Sequence, residues 1–60
     1  MFIEVSKKDH PYDHIALRTE DIMRVEAIRY NAIIHLKDGE QIMTYDSYDD
    51  IMRQIRRAAD

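Results

Sequence analysis

The dipeptide Asp38-Gly39 is the feature that most restricts how this chain can fold. It lies between two predicted strand segments, 32–37 and 40–45. Two-residue hairpin turns need a positive φ at both turn positions, which Asp-Gly tolerates, so the two segments are predicted to form an antiparallel hairpin. The predicted cross-strand pairs are Leu36 with Gln41, Ile34 with Met43, and Ala32 with Tyr45.

A second turn is predicted at Tyr30-Asn31, after the extended segment 23–29. The pairs that follow are Ala27 with Ile34, Val25 with Leu36, Ile28 with Ile33, and Glu26 with His35. Side chains alternate between the two faces of a strand, so both turns together predict one apolar face. Its members are Met23, Val25, Ala27, Ala32, Ile34, Leu36, Met43 and Tyr45. The apolar residues of the opposite face are Ile28, Ile33 and Ile42.

The remaining segments predict two more strands and one helix. Residues 2–5 and 15–17 carry large apolar side chains at every second position, Ile3 and Val5 in the first and Ile15 and Leu17 in the second, and the polar run 6–13 connects them. Ser47 and the acidic residues after it resemble a capping box, so a C-terminal helix is expected over about residues 47–59. Its predicted buried stripe contains Tyr48, Ile51, Met52, Ile55 and Ala59. The expected fold is a single α+β domain, a small, mostly antiparallel sheet of four or five strands with the helix on one face.

The chain is short for a fold that stands alone. A domain of 60 residues buries only about 60% of the surface that its unfolded chain exposes, and the chain has no cysteine to form a disulfide. One helix cannot cover both faces of the predicted sheet, so an isoleucine cluster would stay exposed. Ile28, Ile33 and Ile42 are therefore predicted to form the interface of a homo-oligomer.

Charges are segregated in the C-terminal part of the chain. Residues 38–50 contain five acidic side chains and no Lys or Arg, whereas Arg53, Arg56 and Arg57 follow on the solvent side of the predicted helix. With Tyr48 as a stacking surface, these arginines are a candidate site for an anionic ligand such as a nucleotide, or for an acidic peptide. Favourable helix electrostatics are the preferred explanation of the same pattern. The net charge of −3 disfavours a general nucleic-acid binder.

Few residues suggest catalysis or metal binding. His10, Asp13 and His14 carry zinc-ligating groups, but a proline separates the histidines, and a polar loop is the preferred interpretation over a metal site. His35 beside Glu26 could be an acid–base pair, although no neighbouring residue supplies a nucleophile. The chain has a single glycine, which excludes glycine-rich phosphate loops and nucleophile elbows. We therefore expect no enzymatic activity, no metal and no cofactor.

The sequence also bears on location. No apolar run approaches the roughly 18 residues of a membrane-spanning helix, and the first residues lack a signal-peptide pattern. We therefore expect a cytoplasmic protein without a membrane partner.

Residues 19–55 resemble a known family in the order and spacing of their motifs. The runs 20–27 and 32–40, followed by the helix that Ser47 opens, are similar to a stretch of the LytTR-type DNA-binding domains of response regulators. They are similar also to the small FlbD-like flagellar proteins, which share a strand–hairpin–helix plan. The resemblance implies a hairpin followed by a helix. The DNA-contacting loops of LytTR-type domains lie outside the similar stretch, so no DNA-contact residue is carried over to this chain.

These observations predict a small, non-enzymatic, homo-oligomeric binding or regulatory protein. It would engage or sequester a partner, such as an anionic ligand, at surfaces between subunits. One alternative is a regulator that binds nucleic acid through the basic helix face. Another is an adaptor whose exposed isoleucine face contacts a different protein.

Overall fold

A computed structural model describes residues 1–59, which form five antiparallel strands and one C-terminal helix. The strands are β1 (Phe2–Ser6), β2 (His14–Arg18), β3 (Ile22–Ile28), β4 (Asn31–Leu36) and β5 (Gln41–Thr44), and the helix is α1 (Tyr48–Ala59). A 3-10 turn, Thr19–Asp21, links β2 to β3. The predicted α+β class is confirmed. The strands are divided between two sheets, a β1-β2 hairpin and a β3-β4-β5 meander.

The hairpin between β3 and β4 turns one residue earlier than the sequence predicts. Ile28 pairs with Asn31, so the two turn residues are Arg29 and Tyr30, and Arg29 has a φ of 52°. The predicted register is wrong by two residues, because Val25 lies opposite Ile34 rather than Leu36. A shift of two leaves each side chain on its predicted face. A bulge between Ile22 and Arg24 then shifts the register again at the start of β3.

The predicted turn at Asp38-Gly39 is present, but its loop has three residues instead of two. The N–H of Gly39 donates to the carbonyl of Leu36 at 3.0 Å, and the N–H of Leu36 donates to the carbonyl of Glu40 at 2.8 Å. Gly39 has a φ of 94°, as expected for the left-handed residue that ends such a loop. The additional residue shifts the pairing of β4 with β5 by one position.

This shift reverses the faces of β5. Ile42 lies opposite Ile34 and is buried in the core, so its predicted place in an exposed oligomer interface is wrong. Thr44 is buried beside it, and its hydroxyl donates to the carbonyl of Ala32 at 2.9 Å. Met43 and Tyr45, predicted for the core face, point outward and are exposed.

The hydrophobic core lies between the two sheets and the helix. The predicted hairpin of the first two strands is confirmed, with Ile3 opposite Leu17 and Val5 opposite Ile15. The fully or largely buried apolar side chains are Ile3, Val5, Ala32, Ile34, Leu36, Ile42 and Ile51. Partly buried residues that pack against them are Ile15, Leu17, Ile22, Val25 and Ile55.

The end of β1 joins the two sheets. Beyond Ser6, the chain runs beside β5, where the N–H of Lys8 donates to the carbonyl of Met43 at 2.9 Å. The N–H of Tyr45 donates to the carbonyl of Ser6 at 2.9 Å, and the N–H of Ser6 donates to an Asp46 carboxylate oxygen at 2.7 Å. The outer edge of β5 is therefore occupied by this segment rather than open.

Helix α1 begins where the sequence predicts. The hydroxyl of Ser47 accepts the N–H of Asp50 at 3.1 Å, which is the bond expected of an N-cap. Ile51 is the only fully buried helix residue among those described, and Met52 and Ile55 are half-buried against the sheet. Tyr48 and Ala59, both predicted for the buried stripe, are exposed. Among residues 1–59, no helix is long and apolar enough to cross a membrane.

Candidate binding surfaces

The outer face of the β3-β4-β5 meander carries a group of exposed apolar side chains. Ile33 on β4 is half-buried and lies opposite Met43, while Ile28 and Tyr45 flank Asn31 at the same end of the sheet. Ile28, Met43 and Tyr45 are exposed by 39%, 51% and 60%. We call Ile28, Ile33, Met43 and Tyr45 the outer-face cluster. The structure thus keeps two of the three predicted interface isoleucines on this face and replaces Ile42 with Met43 and Tyr45.

Polar side chains border the outer-face cluster at the end of the sheet away from Ile28 and Tyr45. The ring of His35 lies 2.9 Å from a carboxylate oxygen of Glu26, measured from Nε2 to Oε1, and His35 is only 7% exposed. Glu26 lies opposite Ile33 in the register, so the predicted Glu26–His35 contact forms diagonally rather than directly. Thr44, the nearest hydroxyl in β5, is buried on the opposite face. The Glu26–His35 pair therefore links β3 to β4.

The three predicted arginines share the exposed side of α1. Arg53, Arg56 and Arg57 are all exposed, and Arg53 donates to the carboxylate of Asp50 at 2.9 Å. Tyr48 precedes Arg53 by five positions, which places it about 140° around the helix. The helix thus brings the arginines together but points Tyr48 in another direction.

A groove beside these arginines contains both signs of charge. Its lining consists of Asp46, Asp50, Arg53, Gln54 and Arg57. Two carboxylates in the groove oppose the binding of an anion by the guanidinium groups. Arg56 and Arg57 lie in the last turn of the helix, where cations are favoured in any case.

Gln54 is a structural residue that the sequence did not reveal. Its side-chain oxygen accepts the N–H of Glu4 at 3.0 Å, and its side-chain nitrogen donates to the carbonyl of Glu4 at 2.9 Å. One amide side chain therefore occupies the position that another strand would take beside β1. Nothing in the local sequence signals this contact, because the two residues are far apart in the chain.

The predicted polar loop is confirmed only in part, because His14 is the first residue of β2. Its Nδ1 atom lies 3.5 Å from a carboxylate oxygen of Glu4 and 3.4 Å from the hydroxyl of Ser6. Within the described residues 1–59, no three His, Cys, Asp or Glu side chains are grouped closely enough to hold a metal ion.

Comparison of the chain with protein-family models, curated proteins and solved structures finds no match.

Proposed function

We propose that this chain is a non-enzymatic, self-associating binding protein that contacts a protein partner through the outer-face cluster. The observation that carries the proposal is the position of these side chains on adjacent strands, uncovered by any element of residues 1–59. Contiguous exposed apolar side chains bordered by polar residues are typical of protein–protein contact surfaces. Arg24, His35 and Gln41 border the cluster on the same face.

The small size of the chain supports self-association. Folds near 60 residues commonly depend on disulfides, metals or oligomerisation for stability, and this chain contains no cysteine. A second copy supplies buried surface without any covalent link.

Photo-crosslinking at matched tyrosines tests the partner surface. A photoreactive phenylalanine analogue replaces either Tyr45, in the outer-face cluster, or Tyr12, which is 94% exposed and outside it. Irradiation of expressing cells is expected to give a discrete adduct with another protein from position 45 and none from position 12. Adding Met43→Lys should abolish the adduct, whereas Phe2→Lys, at an exposed apolar residue of β1, should not. Equal adducts from both tyrosines would contradict the proposal.

Anion recognition by Arg53, Arg56 and Arg57 is a second candidate function, because one exposed helix face presents three guanidinium groups. The ligand would be a nucleotide, an acidic peptide or a nucleic acid. A fluorescent oligonucleotide and ATP are suitable probes. Affinity for the oligonucleotide should fall steeply with salt and be lost in an Arg56→Ala, Arg57→Ala double variant, but be kept in Arg29→Ala. Binding that is unchanged by salt would exclude the nucleic-acid version.

A further inference from the structure

We propose that β3 is the self-association edge, pairing antiparallel with β3 of a second copy so that the two Val25 residues lie opposite each other. The two meanders would then form one continuous six-stranded sheet. This inference rests on the self-association in the proposed function and names the surface and register by which it occurs.

The backbone of β3 has unused hydrogen-bonding groups on its outer side. Ile28 and Asn31 close a two-residue turn and therefore form a hydrogen-bonded pair. Pairs alternate along an antiparallel ladder, so Glu26 and Arg24 also bond to β4, whereas Ala27 and Val25 direct their N–H and C=O groups away from it. Within residues 1–59, no other segment bonds to the backbone of Val25 or Ala27.

The outer edges of β1 and β5 are covered, whereas the outer edge of β3 is not. The edge of β1 is occupied by the Gln54 amide, and the edge of β5 is occupied by the segment that contains Lys8. An exposed edge strand can pair with a strand of another chain, so edges are usually covered or otherwise protected. On β3, Arg24, Glu26 and Ala27 are all exposed.

Charge complementarity selects the register. With the two-fold axis at Val25, Arg24 of each copy lies opposite Glu26 of the other, which gives two favourable cross-strand pairs. An axis at Arg24 or at Glu26 would instead place two identical charges directly opposite each other. An axis at Ala27 would set Arg24 against the turn beyond the partner strand. Only the Val25 register therefore uses the outward-facing backbone groups and pairs opposite charges.

The second uncovered edge, β2, lacks this complementarity. His14, Ala16 and Arg18 share one face of β2, and the strand contains no acidic residue. An antiparallel pair centred on Ala16 would bring Arg18 opposite His14 of the second copy, without a carboxylate at either position. Self-pairing is therefore favoured at β3 over β2.

An apolar groove beside the β3 edge would be covered by the same pairing. It runs between β3 and α1 and is lined largely by Ile22, Met23, Val25, Met52 and Ile55. Met23 is exposed by more than half in the single chain. Because the proposed axis passes at Val25, the groove of each copy would lie next to the groove of the other, and both would lose contact with water.

Charge-reversal variants and their mixture test the pairing by sedimentation equilibrium. Arg24→Glu places two Glu–Glu pairs across the axis and Glu26→Arg places two Arg–Arg pairs, so each variant alone should dissociate roughly tenfold more readily than the unmodified chain. An equimolar mixture restores opposite charges at every position and should recover the original association. Arg56→Glu makes the same charge change on α1 and should have no effect.

Amide hydrogen exchange supplies a second readout, which does not depend on Glu26→Arg folding without its His35 contact. The amides of Val25 and Ala27 should become protected as protein concentration rises, while that of Glu26, already bonded to β4, should not change. Self-association without this protection, or equal effects of Arg24→Glu and Arg56→Glu, would overturn the β3 pairing but leave self-association in place. A chain that stays monomeric at every concentration would refute both, whereas the Tyr45 crosslink tests the partner surface independently.

Discussion

The side-chain amide of Gln54 and the backbone of Glu4 form two hydrogen bonds, at 3.0 and 2.9 Å, that attach α1 to the edge of β1. A single residue of the helix thus replaces a neighbouring strand. Because it satisfies a donor and an acceptor at once, its removal leaves both groups of Glu4 dependent on water.

Replacing Gln54 with alanine is expected to lower the free energy of unfolding by about 1–2 kcal/mol, since two partly exposed hydrogen bonds are lost. Gln41→Ala, at an exposed glutamine on β5, is the matched control and should cost much less. Urea denaturation followed by circular dichroism measures both. Equal losses would mean that the Gln54 contact contributes nothing to stability.

Lysine substitutions distinguish the observed register of β5 from the one that a two-residue turn would give. Ile42→Lys buries a charge in the core and should cost more than about 3 kcal/mol or prevent folding. Met43→Lys places the charge on an exposed face and should cost less than about 0.5 kcal/mol. Denaturation of both variants gives the comparison. If Met43→Lys were instead the more destabilising variant, the two-residue turn would be the correct interpretation.

Gly39→Ala should destabilise the β4–β5 loop through the backbone alone. The φ of 94° lies in the region that L-residues rarely adopt, and an added Cβ would meet no atom within 4 Å. The expected loss is about 1 kcal/mol or more. Thermal denaturation checks it, with Lys37→Ala in the same loop as the control. An unchanged melting temperature would show that the loop relaxes to another conformation.

Glu20 should make the stability of the fold depend on pH in the acidic range. Its carboxylate accepts the Thr19 hydroxyl at 2.7 Å and lies 3.1 Å from the N-terminal ammonium. The Thr19 hydrogen bond and then the ammonium group lower the pKa of Glu20 from 4.5 to about 2. A carboxyl group whose pKa is lower in the folded than in the unfolded chain stabilises the fold at pH values above its unfolded pKa. This contribution is therefore present above pH 4.5 and disappears as the pH falls towards about 2.

Melting temperatures of the unmodified chain and of Glu20→Gln, measured across this pH range, test the effect. The variant should be less stable at neutral pH, and the difference should shrink as the pH falls. Glu40→Gln serves as the control, since no hydrogen bond joins its carboxylate to another side chain within residues 1–59. A difference that persists at the lowest pH would assign the loss to packing rather than to charge.

The elements of the fold could be predicted from the sequence because their signals are local. The Asp38-Gly39 turn signal and the Ser47 cap each lie within a few residues of the structure that they specify. The faces of β5 could not be predicted in the same way, since Asp-Gly is compatible with loops of two and of three residues. That single residue decides whether Ile42 or Met43 enters the core.

The candidate surfaces were predicted less completely for a related reason. Exposure of Arg53, Arg56 and Arg57 follows from helical spacing alone, and the structure places them as expected. Contacts such as Gln54 with Glu4 depend on how separate elements dock, which no local pattern records. The uncovered edge of β3 is likewise a property of strand order, and strand order emerges only from the assembled sheets.

The join between the two sheets has a consequence for how quickly the chain folds. Each hairpin closes through a short connection, so both can form early at little cost in loop entropy. The bonds of Lys8 with Met43 and of Ser6 with Tyr45 connect distant positions, so the loops that they close cost more chain entropy than either hairpin. Docking of two preformed units, rather than formation of any turn, should therefore limit the folding rate.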